Sequence, residues 1–415
     1  MNTNKLFEMA LGIDSPWFIE KIEFNDTSRQ LNIFIDFKKG SKFFYQSSES
    51  DNGGNFKVHD TKQKKWRHLN FFQHECFLQA RVPRIKLPNG KVRLIRTPWE
   101  GKTKGFTLLF ESLLLQLLIS MPVLAVSRIT KVSDDKLWRL LEKYIDEALS
   151  KRDLKKLTKI GIDETSRKRG HNYISLFVDL LKKKTVYISE GKDYETVENF
   201  REDLHNHNGD AENISDVSCD MSPAFIKGVK LNFPNAEITF DKFHLIKMIN
   251  KAVDKVRKKE AKEQDILKKS RYSILKNDKN LTKKQRQKKE ELEMSKLNLK
   301  TVRAMHIREN FQLIYKADSK EDFEILLKKW YFWATHSRIE PIKKVAYSIK
   351  RHWEGILKWK ESLINNGILE GLNSVIQAAK SKARGYKTTK CFKLIAYLIT
   401  ANLDFSSINK YYLST

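Results

Sequence analysis

The sequence predicts a mixed α/β protein preceded by a β-rich module, and three observations carry that prediction. Lys159 to Asp163, Tyr173 to Leu180 and Thr185 to Ser189 are strand-like runs joined by short polar connections, so they pair as antiparallel neighbours. Beyond them strand-like and helix-like runs alternate, which makes the later strands parallel, because each is reached through a crossover helix. The first hundred residues instead read as short strands and turns.

Taken in order, residues 1–104 form the β-rich module: Leu31 to Phe37 is largely apolar, Ser47 to Asn55 is rich in Ser, Asp, Asn and Gly, and Pro83, Pro88, Asn89 and Gly90 punctuate the stretch before residue 100. Residues 105–150 turn helical. Phe106, Leu109, Phe110, Leu113 and Leu117 make one stripe, Pro122 suits a first helical turn, and Ser133 can cap a helix with Leu137, Leu140, Leu141 and Tyr144 on its apolar face. Two short helices turning at Lys131 and Val132 have the outline of a helix-turn-helix, although a plain helical hairpin has the same outline. Arg128, Lys131 and Arg139 are its candidate DNA contacts.

Residues 151–250 and 361–400 form the core. After the three antiparallel runs come a helix marked by Val197, Phe200 and Leu204, a strand from Ile214 to Asp220, a helix from Phe225 to Leu231, a strand from Ala236 to Phe240, and a basic helix opening at Phe243. Three antiparallel strands followed by two parallel ones is the ribonuclease H-like order, a statement about fold alone. Residues 251–360 read as a helical insertion dense in Lys and Glu, with Leu292, Leu299, Val302 and Met305 at helical spacing and a capping box at Thr282 and Gln285. Residues 401–415 are expected to be a C-terminal tail.

Composition narrows the partner. Lys and Arg total 79 against 51 Asp and Glu, a formal net charge of +28. Such an excess calls for a polyanion, and nucleic acid is the first candidate. A membrane is not expected, because the basic residues accompany no long apolar run and no signal segment, and the expected location is cytoplasmic. Cys76, Cys219 and Cys391 lie far apart with no C-x-x-C pair, which argues against a disulfide framework and against a cysteine-rich zinc site.

The chemistry is sought at strand ends. Asp163 and Glu164 follow one another on a strand and so point to opposite faces; only one can serve a given metal. Asp220 ends the fourth strand just before Met221-Ser222-Pro223, where open sheets gather ligands. In the ribonuclease H-like order those strands are adjacent, which selects Asp163. Two close carboxylates repel unless a cation shares them, and Mg²⁺ or Mn²⁺ is the hard ion that takes oxygen ligands and bridges phosphates. A third carboxylate is found in Glu370, on a helix whose expected apolar stripe is Ile368, Leu372, Val375, Ile376 and Ala379 and whose polar side carries Asn366, Glu370, Asn373 and Gln377. Arg167, Lys168 and Arg169, in the expected loop after the first strand, and Lys380, Lys382 and Arg384 are candidate phosphate contacts. Asp241, His244 and Asn373 are candidate supports of the site.

Four segments carry a resemblance. Gly161-Ile162-Asp163-Glu164 with Gly170-His171, Asp220 to Phe225, Phe240 to His244, and Gly367 to Asn373 continuing through Lys382 to Tyr386 resemble the ISL-three family of insertion-sequence transposases, in that family's order. Trp66 to Leu69 and His352 to Ile356 extend the likeness over most of the chain. The resemblance implies an Asp-Asp-Glu set at Asp163, Asp220 and Glu370 and an enzyme that cuts and joins DNA at element ends with two metal ions. One ion would activate water and later the freed 3′-hydroxyl; the other would stabilise the leaving oxygen. The implied partners are the element's terminal inverted repeats and target DNA, bound by a homo-oligomer. A related ribonuclease H-like nuclease and a catalytically inactive DNA-binding derivative are the alternatives. The family's paired N-terminal cysteines are missing from Tyr45 to Gly54 and Ile85 to Gly90, and Cys76 with His59, His68 and His74 fits no familiar zinc spacing, so no zinc is expected.

Overall fold

The computed structural model describes residues 3–46, 53–168, 172–362 and 367–412. The chain divides into two compact units, residues 1–151 with 382–384 and 403–415, and residues 152–381 with 385–402.

In the first unit, α1 (Thr3–Leu11) precedes β1 (Trp17–Asn25), β2 (Gln30–Phe37), β3 (Lys42–Tyr45), β4 (Gly54–Phe71), β5 (His74–Lys86) and β6 (Val92–Leu94). These strands form one sheet in the order β1-β2-β5-β4-β3, with β6 on β5. β4 and β5 are long, of 18 and 13 residues, and β5 runs straight through Pro83, which pairs with Thr61. The proline is tolerated because β5 still pairs through its other residues, so it punctuates nothing. Alternating burial along β2 and β5 builds a core of Ile33, Ile35, Leu78, Ala80 and Val82 around Trp17, Trp66 and Trp99. Most of the Ser47 to Asn55 turn lies outside the described residues.

Three helices come next: α2 (Leu108–Ser120), α3 (Val123–Thr130) and α4 (Asp134–Ser150). Phe106 precedes α2 and bridges to Arg67, and α2 buries Phe110, Leu114, Leu115 and Leu118 in place of the expected stripe at Leu109, Leu113 and Leu117. A helix apolar nearly all round gives no periodic signal to choose between faces. At the turn after α3, Lys131 itself adopts the left-handed conformation that usually calls for glycine (φ 57°, ψ 24°). Residues 403–412 do not trail away. Asn409 Nδ2 donates to the Leu108 carbonyl (2.7 Å) and to Tyr144 Oη (3.0 Å), and Ser112 Oγ donates to the Tyr411 carbonyl (2.8 Å), so the expected tail is a docked segment of this unit.

The second unit is built on β7 (Lys159–Lys168), β8 (Asn172–Asp179) and β9 (Lys184–Glu190), followed by α5 (Glu195–Asn206), β10 (Asp216–Cys219), α6 (Pro223–Asn232), β11 (Glu237–Phe240) and α7 (Lys242–Glu260). The sheet order is β11-β10-β7-β8-β9, antiparallel across β7, β8 and β9 and parallel across β7, β10 and β11. α8 (Arg271–Leu275), α9 (Lys283–Glu293), α10 (Lys300–Ile314), α11 (Lys320–His336), α12 (Glu340–Arg351) and α13 (Trp353–Ser362) make a helical insertion, in which Thr282 and Gln285 close the expected capping box. α14 (Gly367–Lys382) and α15 (Thr389–Thr400) return the chain to the sheet, where Tyr397 Oη accepts from the Ile188 amide of β9 (2.8 Å). Among the described residues no helix is long and apolar enough to cross a membrane.

Candidate active site at the ends of the parallel strands

Register places three aspartates level with one another. On β7 and β10 Gly161 pairs with Ser218, and on β10 and β11 Cys219 pairs with Phe240. Counting on, Asp163 stands level with Asp220 and Asp241, about 5 Å from one strand to the next; Asp220 and Asp241 directly follow β10 and β11, whereas β7 runs on to Lys168, so Asp163 lies mid-strand and not at the strand end expected. Asp220 Oδ1 accepts from the Ser222 amide (2.9 Å) in the turn that leads into α6, and Asp241 Oδ1 accepts from the Phe243 amide (2.8 Å) as the N-cap of α7.

Helix α14 lies along β7 and supplies the fourth wall. Its contacts climb the strand two residues at a time. Leu369 covers Gly161, where an added side-chain carbon would sit 2.9 Å from both Leu369 methyls; Asn373 Nδ2 donates to Asp163 Oδ2 (2.6 Å); and Gln377 Nε2 donates to Thr165 Oγ1 (2.6 Å). Four helical residues advance about 6 Å and two strand residues about 6.7 Å, so the two elements stay in step. Glu370 is solvent-exposed on the flank of this face, next to Leu369 and one turn before Asn373. The buried face is Leu369 and Ile376, whereas Val375, expected in the apolar stripe, is 48% exposed. Asn366 lies outside the described residues.

Burial raises the Asp163 carboxyl above its ordinary pKa, and the nearby Asp241 and Asp220 carboxylates add to the effect against a lowering contact from the Glu164 amide. Asp241 Oδ2 holds His244 Nδ1 at 3.0 Å and raises that imidazole's pKa, with Asp163 and Asp220 contributing. Glu164 projects to the other face, 3.8 Å from Lys192 Nζ, as strand alternation requires. It is nevertheless within electrostatic reach: burial raises its pKa first, and Asp220 and Asp163 raise it further. The Asn373 Oδ1 atom is buried and has no partner among the described residues. The Asp163 and Asp220 carboxylates and the unpartnered Asn373 amide oxygen are hard oxygen donors, the chemistry that fits a divalent Mg²⁺ or Mn²⁺ ion.

Of the expected phosphate contacts, Arg167 and Lys168 sit on β7 and not in a loop, because the hairpin continues to the Lys168 and Asn172 pair. Arg169, and the Gly170-His171 pair of the resemblance, fall outside the described residues. Lys380 Nζ donates to the Ser166 carbonyl (2.6 Å), and Lys382 Nζ to the Ser120 carbonyl (3.0 Å), so both are already engaged with backbone. Arg384 adopts a left-handed conformation (φ 57°) just past α14. Arg128, Lys131 and Arg139 are exposed around the turn between α3 and α4, with Lys131 Nζ 4.0 Å from Glu75 and Arg139 Nε donating to the Asp135 carbonyl (3.1 Å). Among the described residues, the one trio of potential ligands within 4.8 Å of one another is Glu293, His306 and Glu309 in the insertion. Lys289 Nζ already lies 2.8 Å from Glu309 and 3.8 Å from Glu293, which neutralises that cluster.

Residues 160–396, more than half the chain, match a family described as transposase. The chain belongs to the ISL3 family of transposases. Residues 95–145 match the helix-turn-helix domain of transposase family ISL3, which includes α2, α3 and most of α4, and DNA is the partner these two matches support. The chain is 29% identical over 406 residues to the transposase for insertion sequence element IS1001 of Bordetella parapertussis, covering 95% of this chain and 97% of that one. It is 24% identical over 438 residues to the transposase for insertion sequence element IS1557 of Mycobacterium tuberculosis, covering 97% and 96%. The enzyme class is therefore the Asp-Asp-Glu transposases.

One expectation is corrected. Residues 52–87 match the zinc-finger of transposases IS204/IS1001/IS1096/IS1165, which overturns the expectation that zinc plays no part. Counting cysteines misjudged the module, because its likeness to that finger extends over the β4 and β5 hairpin and does not depend on paired thiols alone. In this stretch Cys76 is buried in the sheet core with its pKa pushed up to about 11 by burial, and His68 Nδ1 lies 2.9 Å from Thr107 Oγ1.

Proposed function

We propose that this transposase cuts and rejoins DNA at the terminal inverted repeats of its own element with Asp163, Asp220 and Glu370, on a core of the ribonuclease H-like fold. The observation that carries the reading is the Asn373 to Asp163 hydrogen bond at 2.6 Å. It ties the helix bearing Glu370 to the point on β7 where Asp163 is level with Asp220. The strand order, three antiparallel then two parallel, supports the fold. Metal dependence is general in this enzyme class, and Asp163, Asp220 and Glu370 would hold Mg²⁺ or Mn²⁺, which when bound supplies charge stabilisation to the phosphorus centre and its leaving oxygen.

The chain's own residues have separate tasks. Asn373 fixes the orientation of the Asp163 carboxylate through its Nδ2, and its own Oδ1 is buried without a partner among the described residues. Asp241 orients His244, whose raised pKa favours a positive imidazole beside the three aspartates, suited to meeting a phosphate oxygen. Arg167 and Lys168, on the strand that carries Asp163, draw the DNA backbone toward the acids.

The test is Mg²⁺-dependent nicking of a duplex carrying the DNA that flanks the gene. Asp163→Asn, Asp220→Asn and Glu370→Gln should each abolish nicking while duplex binding persists, and combining them should cost no more than one alone, because the acids act as a unit. Glu164→Gln should keep most activity, since its side chain faces Lys192. Normal nicking by Glu370→Gln would overturn the assignment, as would loss in Glu164→Gln with retention in Asp163→Asn.

A further inference from the structure

We propose that the turn at residues 96–102 and the docked C-terminal segment at residues 406–410 together grip one backbone phosphate of duplex DNA, making the end of the chain part of the DNA-binding surface. The proposal rests on DNA binding by this family and adds the C-terminal segment to the first residues of the helix-turn-helix match. None of the three family-model matches extends past residue 396, so those models assign no role to the C-terminal segment.

The pocket belongs wholly to the first unit. It is an open depression of about 470 Å³ lined by Arg96, Thr97, Lys102, Ser406, Ser407 and Lys410, among others. Its charges sort themselves. Lys102 Nζ is engaged by Glu147 (2.9 and 3.1 Å), and the Glu100 carboxylate at the rim is paired with Lys64 (2.5 Å). Asp404 is engaged by the Ser406 amide (2.8 Å) and hydroxyl (2.5 Å). Arg96 and Lys410 remain, both exposed and neither with a carboxylate partner among the described residues. Arg96 makes one long contact, to the Glu100 carbonyl at 3.5 Å, and the Lys410 ammonium rests 5.0 Å from the centre of the Tyr411 ring.

A second, independent observation is the Thr97 hydroxyl. Thr97 is only 3% exposed, lines the pocket, and its Oγ1 has no hydrogen-bond partner among the described residues. A buried donor left unmade costs stability, so a fold that keeps one at a cationic pocket wall is suited to an anion that accepts from it. Two free cations and a neutral donor around an open mouth match a phosphate carried on a backbone that passes through. The walls are held in place as well: Asn409 and Tyr411 pin the C-terminal segment to α2 and α4.

The experiment measures binding of the full-length chain to a short labelled duplex of arbitrary sequence by anisotropy across a salt series. Arg96→Ala with Lys410→Ala should lower the slope of log affinity against log salt by about 0.9, the share of one neutralised phosphate. Thr97→Val should weaken binding roughly tenfold or more with the slope unchanged, because it deletes a hydrogen bond to a charged group and no charge. Its unliganded melting temperature should hold or rise, since the orphaned hydroxyl is gone; a merely structural threonine would move stability and leave binding alone. Lys39→Ala with Lys91→Ala, two exposed lysines of the same unit, controls for net charge. A pocket double variant that loses no more slope than this control, or a Thr97→Val variant that binds as tightly as wild type, would overturn the proposal. A wild-type chain that binds no duplex would remove the DNA reading and the pocket with it.

Discussion

The approach of α14 to β7 depends on there being no side chain at Gly161, and this can be tested energetically. A methyl group there would lie 2.9 Å from Leu180 Cδ2 and 2.9 Å from both Leu369 methyl carbons. These are the ends of flexible side chains, so Gly161→Ala should cost about 1 kcal/mol, the low end for overpacking, and the bulkier Gly161→Val about 3 kcal/mol. Leu369→Ala removes a side chain that is 3% exposed and should cost about 3 kcal/mol through the cavity it leaves. Combining Gly161→Ala with Leu369→Ala lets the new methyl occupy part of that cavity, so the double variant should be more stable than the sum by about 1 kcal/mol. Urea unfolding monitored by circular dichroism measures the cycle. Activity should fall further than stability in Gly161→Val, because Glu370 and Asn373 ride on the displaced helix and a shift of about 1 Å can cost roughly a hundredfold in rate. Additivity within about 0.3 kcal/mol, or wild-type nicking by Gly161→Val, would refute the argument.

Three other outcomes are expected from the same geometry. Because the folded-state pKa of Asp163 is raised, its ionised form penalises the fold at neutral pH, and the penalty disappears as pH falls below the ordinary carboxylate range; Asp163→Asn should therefore melt higher than wild type in chelator at pH 7, with the gain shrinking in acid and with Mg²⁺ stabilising only the wild type. Burial lowers the His68 pKa to about 4, so the unfolded chain binds an extra proton between about pH 6.5 and 4; the first unit should lose up to about 3 kcal/mol across that window, and His68→Gln should flatten this part of a pH–stability curve. Lys131→Gly should stabilise the protein by about 1 kcal/mol by relieving a left-handed residue, seen as a higher melting temperature, while weakening duplex binding if its ammonium meets a phosphate.

What was legible in the sequence is what local periodicity encodes. Strand alternation and crossover logic were enough to read three antiparallel and two parallel strands, whereas the adjacency that brings Asp163 beside Asp220 came from the ribonuclease H-like order, and the β7 and β10 register has that adjacency. Side-chain identity across a tertiary contact was not legible. Leu369 and Val375 are both apolar and about 120° apart around the same helix, and the space over Gly161 is where Leu369 is buried. Likewise no periodic signal marks Asn409, whose amide reaches back about three hundred residues to the Leu108 carbonyl and converts an expected tail into a docked segment. Lys131 illustrates a different limit: the turn type was readable from helix spacing, but a lysine in a glycine's conformation is held there by the packing of α3 against α4. The zinc-finger likeness spans residues 52–87, over β4 and β5, and a count of thiols did not register it.

The insertion has a structural consequence for the site that its solvated sequence conceals. Its helices share one continuous core with the sheet: Ile160, Val217 and Phe240 belong to the same buried cluster as Phe311, Trp330, Ile342 and Ile356. α13 packs along β11, where a side chain at Gly355 would collide with the Phe240 ring and the Ile238 carbonyl, and Lys358 pairs with Glu237. The edge strand that would otherwise be open is thereby covered. Covering it also fixes where the chain returns to the sheet, because α14 begins within a few residues of the end of α13. The backbones of Asp163 and Asp220 are set by the sheet, whereas Glu370 is carried on α14, which the chain reaches through the helical insertion that packs on β11. Loss of packing at Phe311 or Trp330, far along the chain from any acid, should therefore reach the chemistry through the position of one carboxylate while leaving the two strand aspartates in register.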